Sequence, residues 1–96
     1  MFKLDAGNVL LKPSHRRQLM GWLKRALRLG QRLGNLAITI SMERVGRFFE
    51  IKADVRDGRH TAAFRSRQHS WQDAAREMVR ALTAYIHDLT VRRLLA

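Results

Sequence analysis

Hydrophobic and polar positions follow two rhythms along this 96-residue chain, and each change of rhythm marks an element. Phe2, Leu4 and Ala6 alternate with Lys3 and Asp5, the period-2 pattern of a strand with one buried face. Gly7-Asn8 then reads as a turn. From Pro13 to about residue 33 the period becomes 3.6. Leu19, Trp22, Leu23, Ala26 and Leu33 fall on one side of a helix, Pro13 suits its first turn, and Gly34-Asn35 stops it. Leu36 to Glu43 alternates again, with Leu36, Ile38, Ile40 and Met42 on one face, and Arg44-Val45-Gly46 makes a connection of hairpin length. From Arg47 to Arg56, Phe49, Ile51, Ala53 and Val55 alternate with Phe48, Glu50, Lys52 and Asp54. Asp57-Gly58 follows as a two-residue hairpin turn. That turn sets Val55 against His60, Ala53 against Ala62, Ile51 against Phe64 and Phe49 against Ser66. On the other face it sets Glu50 against Arg65 and Asp54 against Thr61.

Ser70, with Asp73 three residues on, has the form of a capping box opening a second helix over about 71–93. Its apolar stripe is Trp71, Ala75, Met78, Leu82, Tyr85 and Leu89. Arg76, Arg80, Thr83 and His87 lie opposite. The order β-α-β-β-β-α predicts one α+β domain over residues 1–96. It is a two-layer sandwich with both helices packed on one face of a four-stranded sheet, like a double-stranded RNA-binding domain. The outer faces of the two helices then share one exposed surface.

Charge turns this fold prediction toward function. The net charge is +11, with 19 basic residues against 8 acidic ones, and fifteen of the 19 are Arg. No carboxylate occurs from Ala6 through Met42. On the first helix Arg17, Lys24 and Arg28 fall within roughly 40° of one another, opposite the apolar side, with Arg25 and Arg32 at the edge. A helix needs no acid-free cationic stripe merely to stay soluble, so an anionic partner is implied. Arg binds phosphate bidentately and stacks on bases, which favours nucleic acid. The candidate RNA-binding residues are Arg16, Arg17, Lys24, Arg25, Arg28, Arg32, Arg76 and Arg80.

Other chemistries find little footing. There is no cysteine, so thiolate chemistry and sulfur-ligated metals are excluded. No apolar run reaches the roughly 20 residues that span a bilayer, and the first residues lack a secretory apolar core, so a cytoplasmic protein without membrane contact is expected. His15, His60, His69 and His87 pair with no other ligand type at metal-binding spacing. Glu50 and Asp54 share a strand face but stand about 13 Å apart by strand rise, too far for an acid–base pair. No phosphate-cradling glycine loop appears. The expectation is a non-enzyme with no catalytic residue, metal, cofactor or small-molecule substrate. Trp22 and Trp71 suit base stacking or the core.

Several local strings together have a familiar layout. A short strand ends in Gly7-Asn8, a helix carries Arg17 in its first turns, the strand Leu36 to Met42 and a hairpin follow, and the last helix opens with SWQDAARE. In this the chain resembles the short form of the ribosome hibernation promoting factors, the ribosome-associated inhibitor or sigma-54 modulation family, over nearly all of its length. The resemblance implies the same β-α-β-β-β-α fold and a translation inhibitor that binds rRNA of the small ribosomal subunit where mRNA and tRNA would lie. It also implies that the contact surface is the basic face of the two helices, and the basic first helix fits this. The second departs from the family pattern: residues 81–91, ALTAYIHDLTV, contain no Lys or Arg, and Arg76 stands where the family has an acid. The C-terminal extension of the long forms is absent from the sequence, so ribosome dimerisation through a tail is not expected. The alternatives are a generic double-stranded RNA-binding domain, and a protein-interaction domain that kept only the fold and forms a homodimer.

Overall fold

The period-2 stretches fold as strands and the period-3.6 stretches as helices. A computed structural model describes residues 2–5, 7, 9, 11–30, 36–58 and 60–95. The elements are β1 (Phe2–Asp5), α1 (Pro13–Gly30), β2 (Leu36–Val45), β3 (Phe48–Asp57), β4 (His60–Gln68) and α2 (Trp71–Leu95). The four strands form one mixed sheet in the order β1-β2-β3-β4, with β1 parallel to β2 and the other pairs antiparallel. This is the expected α+β sandwich.

Alternation decides which side of the sheet is covered. Leu36, Ile38, Ile40 and Met42 of β2 and Ile51, Ala53 and Val55 of β3 are buried, together with Leu19, Leu23 and Ala26 of α1. From α2 come Trp71, Ala74, Ala75, Met78, Leu82 and Ile86. Each large aliphatic side chain so buried contributes roughly 1.5–3 kcal/mol. Helix α2 buries a wider face than its expected stripe, because it packs against both the sheet and α1. Ala74 and Ile86 are fully buried, whereas Tyr85 and Leu89 are only partly covered.

The helix starts follow from local hydrogen bonding. The Lys12 carbonyl accepts the Arg16 N–H at 2.9 Å, and Pro13, which has no N–H to satisfy, occupies the first helical position. Ser70 Oγ accepts the Asp73 N–H at 3.1 Å, the N-cap that the sequence predicts. After β1, Gly7 has φ +56° and lies so close to β2 that a Cβ there would strike the Met42 carbonyl oxygen. Only glycine meets both demands.

Three features differ from expectation. The β3–β4 hairpin is displaced by two residues: Asp57 faces His60, Val55 faces Ala62, Ala53 faces Phe64, Ile51 faces Ser66 and Phe49 faces Gln68. On the outer side Glu50 faces Arg67 rather than Arg65, and Asp54 faces Ala63 rather than Thr61. The cause lies in the two residues of the expected turn. Gly58, with φ +59°, takes the first turn position, where hairpin turns need a positive φ. Asp57 stays in the strand, with its carboxylate held by the α2 guanidinium of Arg93: Nη2 donates to Oδ1 and Oδ2, each at 2.5 Å. A shift of two residues preserves which face each side chain occupies, so the core survives it. Likewise β2 runs on to Val45, paired with Phe48, and Gly46, with φ +61°, begins the turn instead of ending it. Helix α2 also runs two residues past the expected end. The expected last turn of α1 with Leu33, the Gly34-Asn35 stop, Ala6, Asn8 and Arg32 lie outside the described residues.

Candidate nucleic-acid interface

One turn of α1 is enough to separate its two roles. Leu19 and Leu23 are each 1% exposed, while Arg16, Arg17, Lys24, Arg25 and Arg28 are exposed. Among the described residues no carboxylate lies within 4.0 Å of any of these five cations. Their donors therefore face solvent rather than an internal counter-ion.

Four of these five cations fall into two groups. Arg16, Arg17 and Lys24 surround a shallow depression with Pro13, Met20 and Gly21. Gly21 is exposed, and nothing lies within 4 Å of where its Cβ would stand. Its missing side chain opens that depression, at a helix cost of about 1 kcal/mol relative to Ala. On the flank toward α2, Arg25 joins Arg76 and Arg80 across a groove of about 350 Å³, lined also by Trp22 and Val79. The Arg76 guanidinium lies over the Trp22 ring, 5.5 Å from its centroid. Arg76 also approaches Asp73 at 3.8 Å, a loose pair between side chains that are both mostly exposed and worth little. Trp71 is a core residue, with its ring 6.1 Å from Trp22 and 5.2 Å from His15. Trp22 is half-buried, with one part on the core and one part in the groove.

Seven of the eight candidate residues are thus described and exposed, and Arg25, Arg76 and Arg80 are brought together from two helices. No protein-family model matches this chain, and no curated protein matches its sequence. The N-terminal domain of Thermus thermophilus Protein Y superposes with a TM-score of 0.73 at 16% identity, covering 91% of this chain and 94% of that one. A ribosomal subunit interface protein from Coxiella burnetii superposes with a TM-score of 0.75 at 14% identity, covering 95% of this chain and 99% of that one. The fold is the same. The likeness extends over nearly the whole chain.

The opposite side of this sandwich handles charge differently. On the open sheet face, Glu50 accepts from Arg67 Nε at 3.1 Å and Nη2 at 2.7 Å. Lys52 lies at 3.4 Å and Arg65 at 3.6 Å. These long side chains roof the carboxylate, which is only 4% exposed although it lies on the outer face. The Arg67 bond holds its pKa below the ordinary carboxylate range. Arg65 and Lys52 act in the same direction, and partial desolvation opposes them. Sequence reasoning missed Arg67 as the principal partner; a turn beginning at Gly58 would have revealed it. Among the described residues, no three His, Asp or Glu side chains are grouped to hold a metal ion, and no helix is long and apolar enough to cross a membrane.

Proposed function

We propose that this chain is a ribosome-associated inhibitor of translation of the hibernation-factor type, which binds rRNA of the small subunit through the outer face of its two helices. The observation that carries this reading is the row of exposed cations on α1 with no carboxylate beside it, continued by Arg76 and Arg80. Such a row neutralises phosphates and releases their counter-ions, and a bound domain occludes the channel it occupies. The shared fold with a protein named for the ribosomal subunit interface supports ribosome association. Arg16, Arg17, Lys24, Arg25 and Arg28 hold phosphates from α1 and Arg76 and Arg80 from α2, and Arg32, which follows α1 in the sequence, joins them. With about six phosphates neutralised, log affinity falls with log salt at a slope between about −4 and −5.

Cosedimentation with small subunits, large subunits and whole ribosomes, against a generic RNA duplex as competitor, tests the proposal. Retention on the small subunit or the whole ribosome despite competitor supports it. Loss to competitor leaves a generic duplex-RNA binder. Failure to bind either, with dimers that persist at high salt in sizing experiments, leaves a protein-interaction domain.

A further inference from the structure

The groove between the helices is not a uniform basic surface. It sets an aromatic ring among three guanidinium groups. A phosphate clamp alone needs cations and no indole; here Trp22 is half-buried in the groove wall, with the Arg76 guanidinium over its ring at 5.5 Å. Guanidinium planes and aromatic rings are the two kinds of surface on which unstacked bases rest. Arg25 and Arg80 line the same groove, and no carboxylate lies within 4.0 Å of either among the described residues. The volume, about 350 Å³, falls at the small end of the roughly 300–1,000 Å³ range of small-molecule sites. That volume has room for one base and its phosphate.

From this juxtaposition we infer that the groove takes a single unpaired nucleotide of RNA, its base stacked on the Trp22–Arg76 platform and its phosphate held by Arg25 and Arg80. The inference rests on the RNA-binding reading above and sharpens it: the preferred target is a single strand, loop or bulge. The duplex has no free base face to offer. Trp22 thus touches the core as well as the groove, with its ring 6.1 Å from that of Trp71 and tilted 33° to it.

The test uses the native protein and two probes of equal charge. One is a single-stranded adenosine oligonucleotide of about ten residues; the other is the same ribose-phosphate backbone with every base removed. The base-bearing strand is expected to bind about tenfold or more tightly than the abasic one. It should quench tryptophan fluorescence, and the quench should vanish in Trp22→Phe, where buried Trp71 is the remaining indole. Equal affinity for the two probes without a quench overturns the stacking site and leaves phosphate binding intact. A quench that persists in Trp22→Phe overturns it as well, because Trp71 is then the reporter. If neither probe binds at low salt, the RNA-binding reading falls with it. Arg76→Gln provides a variant that leaves the Trp22–Trp71 contact in place, and it should narrow the difference between the two probes.

Discussion

The open sheet face and helix α1 each carry five described cations and use them in opposite ways. On the open sheet face Lys3, Lys52, Arg56, Arg65 and Arg67 share their surface with Asp5, Glu43, Glu50 and Asp54. Five cations meet four carboxylates, and one carboxylate, Glu50, engages three of the cations. On α1, Arg16, Arg17, Lys24, Arg25 and Arg28 meet none among the described residues. Charge on the sheet is consumed internally; charge on the helix is left for something else. Net charge alone does not separate these cases. What separates them is where the acids are.

The largest effect is expected from the residue that tells the two sides of α1 apart. Leu23 and Lys24 are neighbours in sequence, but one is in the core and the other faces solvent. Leu23→Ala should destabilise the fold by about 2–5 kcal/mol in urea unfolding. Lys24→Glu combined with Arg28→Glu should leave the unfolding curve nearly unchanged. That double variant should weaken ribosome binding about a hundredfold or more at low salt, since two phosphate contacts become repulsions. If the double variant unfolds instead, the stripe faces inward and the comparison fails. Lys52→Glu with Arg65→Glu provides the mirror experiment: loss of stability with ribosome binding largely retained.

A smaller effect separates two adjacent arginines near the end of α2. Arg92 pairs with Asp88 at 3.0 Å, and both side chains are more than half exposed. Arg93 grips Asp57, which is only 6% exposed. Arg93→Ala should cost about 1 kcal/mol, the value of a charged hydrogen bond discounted for the half-exposed guanidinium. Arg92→Ala should fall within about 0.5 kcal/mol of the parent. Equal losses at the two sites would show that the Asp57 contact adds nothing to the hairpin it anchors.

That contact also marks where the sequence stops being legible. The faces of every strand were readable because alternation is a local property: Ile38, Ile40, Ile51 and Val55 are buried as their spacing requires. The hairpin register was not readable, because Asp57-Gly58 is a turn signal by itself, whereas Gly58 alone enters the turn and Asp57 is held in the strand by Arg93, 36 residues away. The basic face of α1 was plain from its lack of acids. The groove was not, because bringing Arg25 to Arg76 and Arg80 depends on how two helices pack. Trp22 left core and stacking both open from its spacing; it is half-buried, packed against the core and lining the groove.

The smallest expected effect lies on the sheet, and it depends on pH. Glu50 is ionised among Arg67, Arg65 and Lys52, and its pKa is lowered first by the Arg67 bond. A carboxylate with a lowered folded-state pKa favours the folded state while ionised. Its contribution is present above the ordinary value near 4.5 and is lost as pH falls from there through the lowered value. Glu50→Gln should therefore lower the melting temperature at neutral pH, because three cations lose their shared negative charge. The gap between parent and variant should close as the solution is acidified below about pH 4.5. Ribosome binding should not change, since Glu50 lies on the face away from the helices. A gap that stays constant with pH would show that Gln disturbs packing rather than charge. A parallel change in ribosome binding would show that the sheet face also contacts the ribosome, and the division between the two faces would not hold.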